Sequence, residues 1–319
     1  ILMIIFKSYI YYIFMFLSCY LTGASIISFF KDRDIVQNKL YLAPIFGLLF
    51  FILFAYFLGT FNGFSGDIPL YSFIIIIIIS IFIIYAKMGF KGLNPFSFTT
   101  LIFVFLGSLS VFGPIILYSG FNPFNDSFTY LVHAQWLQEN SFRELTTGSG
   151  YYPAETQVHL YQKAGHRMGG SFLLGFFQSI FNEKWSYFCY VPAVTLACIS
   201  GTLTIFTLWK INIKKIAIFV ILIPLISQNG FIFGAQYGFF PQTFGLAFLF
   251  GLIVSILLLQ KSLLSKNGST LNRSIFVSLM LTGLLYTYND IAPFIGAIMI
   301  FYFILLLVLN KFIFKEASK

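Results

Sequence analysis

The sequence predicts an all-α protein, a polytopic bundle of about nine transmembrane helices with interfacial helices in one long polar loop. Three observations carry this expectation. Of 319 residues, 59% are hydrophobic and only 9% are charged, against about 25% charged in soluble domains. The apolar residues fall in blocks about 20 residues long, the length that crosses the hydrocarbon core as a helix. Blocks such as 73–85, with Ile74 to Ile79 unbroken, lack the in-out alternation of a barrel strand. Backbone groups in lipid must be satisfied within the segment, which leaves helices.

The nine expected spans are roughly 9–30, 40–60, 68–86, 98–119, 186–209, 216–234, 242–260, 274–289 and 291–310. The apolar stretch 169–181 is too short to span. The spans group as N-terminal helices in 1–97, a core in 98–260 that carries the polar loop 120–168, and C-terminal helices in 261–319. No low-complexity linker separates them. The chain opens on Ile1-Leu2-Met3, which fits a trimmed product or a fragment.

The net charge of +9 does not signal nucleic-acid binding. Its Lys and Arg residues lie in small groups between apolar blocks, the pattern of cytoplasmic loops. Those groups are Lys31, Arg33 and Lys39; Lys87 and Lys91; Lys210, Lys214 and Lys215; Lys261, Lys266 and Arg273; and Lys311, Lys315 and Lys319. Loops 61–67 and 235–241 contain no Lys or Arg and fit the outer side. Loop 120–168 then lies outside too. An odd number of crossings must separate it from Lys210, so 169–181 is expected to lie in or dip into the outer interface. Asn289 and Asp290 are expected in a tight outer turn, followed by Pro293. Cys19, Cys189 and Cys198 sit in apolar blocks without metal-ligand spacing and read as small core hydrophobes.

The polar loop carries the candidate chemistry. Phe128, Leu131, Val132 and Trp136 recur at helical spacing, so 127–139 reads as an amphipathic helix. Asp126 stands just before it. A carboxylate there can cap the helix, and it can also hold a metal or act as a base at the membrane surface. Downstream come Glu155, His159, Lys163, His166 and Arg167. His159 and His166 are seven apart, unlike a zinc pair. Arg167 can grip a phosphate with two donors, and Lys163 and His166 add charge. The alternative is a solvated surface segment. Of the ten acidic residues, Asp126, Glu139, Glu144 and Glu155 share this loop. Asp290 is expected at the same face, as a turn residue or as part of the site.

The run Phe124-Asn125-Asp126-Ser127-Phe128-Thr129-Tyr130, with Ala134-Gln135-Trp136-Leu137 one helix further on, resembles the first outer loop of the GT-C superfamily of membrane glycosyltransferases. That superfamily includes protein O-mannosyltransferases and lipid A aminoarabinose transferases. Tyr152-Pro153 and the helix near 170–181 are similar to its continuation, and the resemblance covers roughly 98–260. It implies a GT-C-like fold and transfer of a sugar from a polyprenyl-phosphate-linked donor to a glycan, lipid or protein acceptor. The reaction is expected at the outer face of a bacterial cytoplasmic membrane. Asp126 matches the loop's acidic residue, the base or the partner of a divalent cation. Residues 228–242 contain no Asp or Glu, and Gln236 and Tyr237 are the polar groups available there. Two other readings stay open. One is a flippase or transporter of lipid-linked sugars, which would place polar groups near the bilayer midplane. The other is a glycan polymerase or ligase leaning on Arg143, His159, His166 and Arg167.

Overall fold

A computed structural model describes residues 2–89, 104–105, 107–109, 111, 125–144, 146, 153–164, 169–183, 187–210, 239–265, 269–291, 293–302 and 304. Every regular element among them is helical. The α-helices include α1 (Leu2–Ile27), α2 (Arg33–Gln37), α3 (Lys39–Phe61), α4 (Ile68–Met88) and α5 (Asn125–Glu139), then α6 (Pro153–Ala164), α7 (Gly169–Ile180), α8 (Tyr187–Lys210), α9 (Phe240–Ser265) and α10 (Thr270–Thr287), and residues 293–302 are helical as well. A 3-10 turn, Asn289–Ile291, follows α10.

Five stretches are long and apolar enough to cross a membrane: Phe6–Ile27, Lys39–Phe61, Ile68–Met88, Cys189–Leu208 and Phe240–Leu263. They match five of the nine expected spans. Thr270–Thr287 and Asn289–Tyr302 meet at a bend of 118°, at the Asn289-Asp290 pair where a turn is expected. The expected span 216–234 and most of 98–119 lie outside the described residues.

The helices differ sharply in burial. The α8 window is 94% buried and forms the centre of the bundle, whereas the α4 window is only 22% buried. Ile74, Ile75, Ile78 and Ile79 of α4 are exposed. A β-branched run gives up helix propensity in water. In lipid, the demand that every backbone group be bonded within the segment outweighs that preference. Gly89, at φ +63°, closes α4 by donating to the Tyr85 carbonyl at 2.9 Å, a positive-φ position that glycine adopts without strain.

Small residues set the closest helix pair. A Cβ on Gly23 would overlap the Ala43 carbonyl, and one on Gly47 would overlap the Cys19 carbonyl. The four residues form two small-xxx-small pairs, Cys19/Gly23 on α1 and Ala43/Gly47 on α3, that let the backbones touch. The blocking atoms belong to backbone and cannot swing aside. Gly47→Ala is therefore expected to cost about 3 kcal/mol, the upper end of ordinary overpacking. Gly296 has nothing within 4 Å of its added methyl, so Gly296→Ala should leave the melting temperature in detergent unchanged. Equal melting temperatures for the two variants would contradict this packing.

The two ends of the bundle differ in charge. At one end Lys87 lies over the Phe29 ring, 5.4 Å from its centroid, and Lys39 reaches the Met88 sulfur at 3.5 Å. Arg273 and Lys261 join the α1–α3 connector there. Arg273 Nε donates to Asp32 Oδ2 at 2.7 Å, Nη2 to Asp34 Oδ2 at 2.9 Å, and Nη1 to the Leu258 carbonyl at 2.5 Å. Lys261 pairs with Asp34 at 3.0 Å. Asp32 also caps α2, accepting from the Asp34 and Ile35 N–H groups. We call this the basic end. Tyr41 of α3 and Phe206 of α8 have ring centroids 6.3 Å apart, so the C-terminal end of α8, which closes on Lys210, lies there too. The described members of four of the five basic groups thus share an end, as the sequence implies, whereas Lys91, Lys214, Lys215, Lys266 and the group at 311–319 lie outside the described residues.

The opposite end carries Asp67, Glu139, Glu144, Glu155, Glu183 and Asp290. Helix α7 is confined to this half. Its first residue, Gly169, approaches Ile52 and the Tyr286 carbonyl. Just past its last turn, Phe181 stacks on Tyr11 with centroids 4.0 Å apart. Twelve residues reach about 18 Å, well short of a bilayer core. Gly169 through Gln178 are all buried, so α7 dips into the bundle, with Phe176 against Phe51 and Phe54. Tyr11 and Lys7 of α1 both bond Glu183, which ties down the α7 terminus.

Candidate functional site

The acidic end is roofed by α5 and α6. Backbone bonds fix α5 to the α3–α4 turn: Phe64 N–H donates to Leu137 O at 2.6 Å, and Phe142 N–H donates to Gly59 O at 2.9 Å. Gly63 holds φ +67°, and a Cβ there would lie 2.5 Å from the Asn140 carbonyl. Only glycine suits both demands. Below, Gly175 of α7 admits the Ala134 carbonyl at 2.7 Å from a virtual Cβ. Gln138 donates to Gln178 at 2.9 Å.

Helix α5 begins at Asn125, so Asp126 lies in its first turn. The expectation that Asp126 precedes the helix as its cap is corrected by this earlier start, a shift within the usual scatter of helix ends. The positive end of the helix dipole still faces this position. The side chain of Asp126 lies outside the described residues. One turn on, Tyr130 meets Phe240, the first residue of α9, at 5.8 Å. Gln242 in the first turn of α9 donates to the Tyr288 hydroxyl at 3.2 Å. Tyr288 closes α10 and leads into Asn289-Asp290, where Asp290 is exposed. The head of α5, the head of α9 and the α10 terminus thus converge on one corner. Gln236 and Tyr237 precede that α9 head and lie outside the described residues.

The expected stripe on α5 is also revised. Leu131 and Val132 are buried, but Phe128 is exposed and Tyr130, His133, Ala134 and Leu137 are buried as well. Helix α5 is packed from two sides, by α7 below and α6 beside it, so its burial exceeds a single amphipathic face.

Pro153 opens α6, where its missing N–H costs nothing. Glu155, His159 and Lys163 recur at four-residue intervals and share one face of the helix. His159 Nδ1 is 2.9 Å from the Thr146 carbonyl, a contact in which the ring N–H donates. Gln162 clasps the same loop through the Phe142 and Glu144 carbonyls. His159 therefore latches the α5–α6 loop with one nitrogen. Glu155 lines a groove of about 260 Å³ between α5 and α6, and Lys163 is exposed. His166 and Arg167 lie outside the described residues. Arg143 lies over the Phe61 ring, 4.2 Å from its centroid.

His133 is wholly buried, with the rings of Phe172 and Phe142 at 5.6 and 6.0 Å. Burial pushes its imidazole down from 6.5 to about 3. The unfolded chain takes up a proton here near pH 6.5, and the folded chain does so only near pH 3. The stability of the neutral ring is complete above pH 6.5 and is lost as pH falls, by up to about 1.4 kcal/mol per unit. The melting temperature is expected to fall between pH 7 and pH 5, and His133→Phe is expected to flatten that slope. Equal slopes in both proteins would contradict it.

Sequence reasoning passed over Asp67. It is exposed and makes no cap bond to α4. It lines a cleft of about 650 Å³ with Gln138, Glu139 and Asn182. The signal was an acid in a loop free of Lys and Arg, which a short turn disguises. No group of three or more metal-binding side chains occurs among the described residues, and Asp126, the residue named for a divalent cation, has its side chain outside them. No known protein family, characterised protein or solved structure matches the chain.

Proposed function

We propose that this chain is a GT-C-like membrane glycosyltransferase that moves a sugar from a polyprenyl-phosphate-linked donor to an acceptor hydroxyl. The reaction takes place at the outer face of a bacterial cytoplasmic membrane. The observation that carries the reading is the convergence of the head of α5, bearing Asp126, with the head of α9 and the Asp290 turn, at the end of the bundle opposite the basic groups. Asp126 removes the acceptor proton as the acceptor oxygen bonds to the anomeric carbon. The bond from that carbon to the phosphate oxygen breaks, and polyprenyl phosphate leaves with the electron pair. Lys163 and Arg167 neutralise the departing phosphate. A transport path would need polar groups at mid-bilayer, whereas the ionisable side chains described here gather at the two ends.

The test uses purified protein in proteoliposomes supplied with a panel of radiolabelled polyprenyl-phosphate hexoses and pentoses. The expected result is label on a water-soluble or lipid acceptor, matched by free polyprenyl phosphate. Label that crosses the bilayer while still lipid-linked would identify a flippase and overturn the reading.

A further inference from the structure

Two cavities lie along α5 and share a wall. The 260 Å³ groove is lined by Gln135, Trp136, Glu139, Asn140 and Glu155, with Val132 and Val158 at its base. The 650 Å³ cleft lies past the helix terminus, between the α3–α4 turn and the end of α7. Glu139 lines both. From Glu139 back to Asp126 the helix rises about 20 Å. A single sugar ring cannot fill the cleft and reach the head of α5 together.

The wall chemistry restricts what could lie there. Asp67, Glu139 and Glu155 supply carboxylates, and Gln135, Gln138, Asn140 and Asn182 supply amides. Among the described residues, neither cavity is lined by Lys, Arg or His. A phosphate or a uronate would meet like charge with no cation to offset it. Hydroxyl groups suit these walls, since each can donate to a carboxylate and accept from an amide. The cleft also falls in the usual ~300–1,000 Å³ range of small-molecule sites.

We infer that the two cavities form a track along α5 for an extended, uncharged glycan, the non-reacting part of the acceptor, whose reacting end lies at the head of the helix. This rests on the transferase reading and names its acceptor class: a hydroxyl-rich chain several sugars long, rather than a monosaccharide or an anionic polymer.

The experiment reads binding alone, without donor, by saturation-transfer NMR on the full chain in nanodiscs. The probes are gluco- and manno-oligosaccharides of increasing length and oligogalacturonates of matched length. The expected result is a neutral series whose affinity rises about tenfold with length and then levels, with the oligogalacturonates at least tenfold weaker. Ser65→Trp, at an exposed turn lining the cleft, should remove the gain from added length and leave the shortest sugars unchanged. Asp67→Lys should weaken neutral chains and strengthen oligogalacturonate binding. Affinity independent of length, equal binding of the acidic chains, no binding by either neutral series, or indifference to both variants would overturn the track. Length-dependent binding without sugar transfer would instead overturn the transferase reading alone. Transfer without length dependence would overturn the track alone.

Discussion

Asp126→Asn is expected to insert and fold normally and to lose sugar transfer by about 10²–10⁴-fold, the range a positioned proton acceptor supplies. The amide matches the carboxylate in size but cannot take the acceptor proton. Asparagine and aspartate have similar propensities within a helix. Loss of the charge–dipole interaction in the first turn should cost no more than about 1 kcal/mol. The check is transfer from a polyprenyl-phosphate sugar in proteoliposomes, beside a melting curve of the same preparation. Full transfer by the variant would reduce Asp126 to a helix-start residue. Loss of transfer with a large drop in melting temperature would mean a structural role instead.

Arg273→Ala is expected to destabilise the protein by about 3–5 kcal/mol, the usual cost of breaking a buried ion pair from one side. Asp32 is 1% exposed and Arg273 is 3% exposed. Without the guanidinium, Asp32 keeps its bonds from the Asp34, Ile35 and Ser269 N–H groups but becomes an uncompensated buried charge. The Leu258 carbonyl loses the bond from the guanidinium as well. Lys261→Ala should cost under about 1 kcal/mol, because that pair is open to solvent. Thermal unfolding in detergent separates the two. Similar losses for both variants would contradict the burial of the Arg273 pair. Asp32→Ala combined with Arg273→Ala should recover part of the loss, since the pair leaves together.

That pair also marks where sequence reading stops. The five spans were legible because length and apolarity leave a helix few alternatives in lipid. The confinement of α7 to one half was legible from its length and from the parity of crossings. Arg273 was counted as one more cation in a basic loop. Its partners, Asp32 and Asp34, lie about 240 residues away in sequence, a pairing no local pattern encodes. The stripe on α5 was misjudged for a related reason. Helical spacing identifies one buried face, and only the packed structure shows that α6 covers a second, that Phe172 and Phe142 enclose His133, and that Phe128 stays at the surface. Asp67 was missed because an acid in a seven-residue loop reads as a turn. Its meaning comes from Glu139 and Asn182, which two other helices bring beside it.

The account depends on the acidic end, with its two cavities and the head of α5, facing outward while the basic end faces the cytosol. Cysteine labelling in intact cells tests this most directly. Cys19, Cys189 and Cys198 are all buried, so native background should be low. Ser65→Cys and Lys163→Cys sit at exposed positions of the acidic end, and Arg33→Cys at an exposed position of the basic end. With a membrane-impermeant maleimide, the account predicts labelling at 65 and 163 and none at 33 until the cells are opened. Labelling at 33 alone would place Asp126 in the cytosol and contradict the proposal.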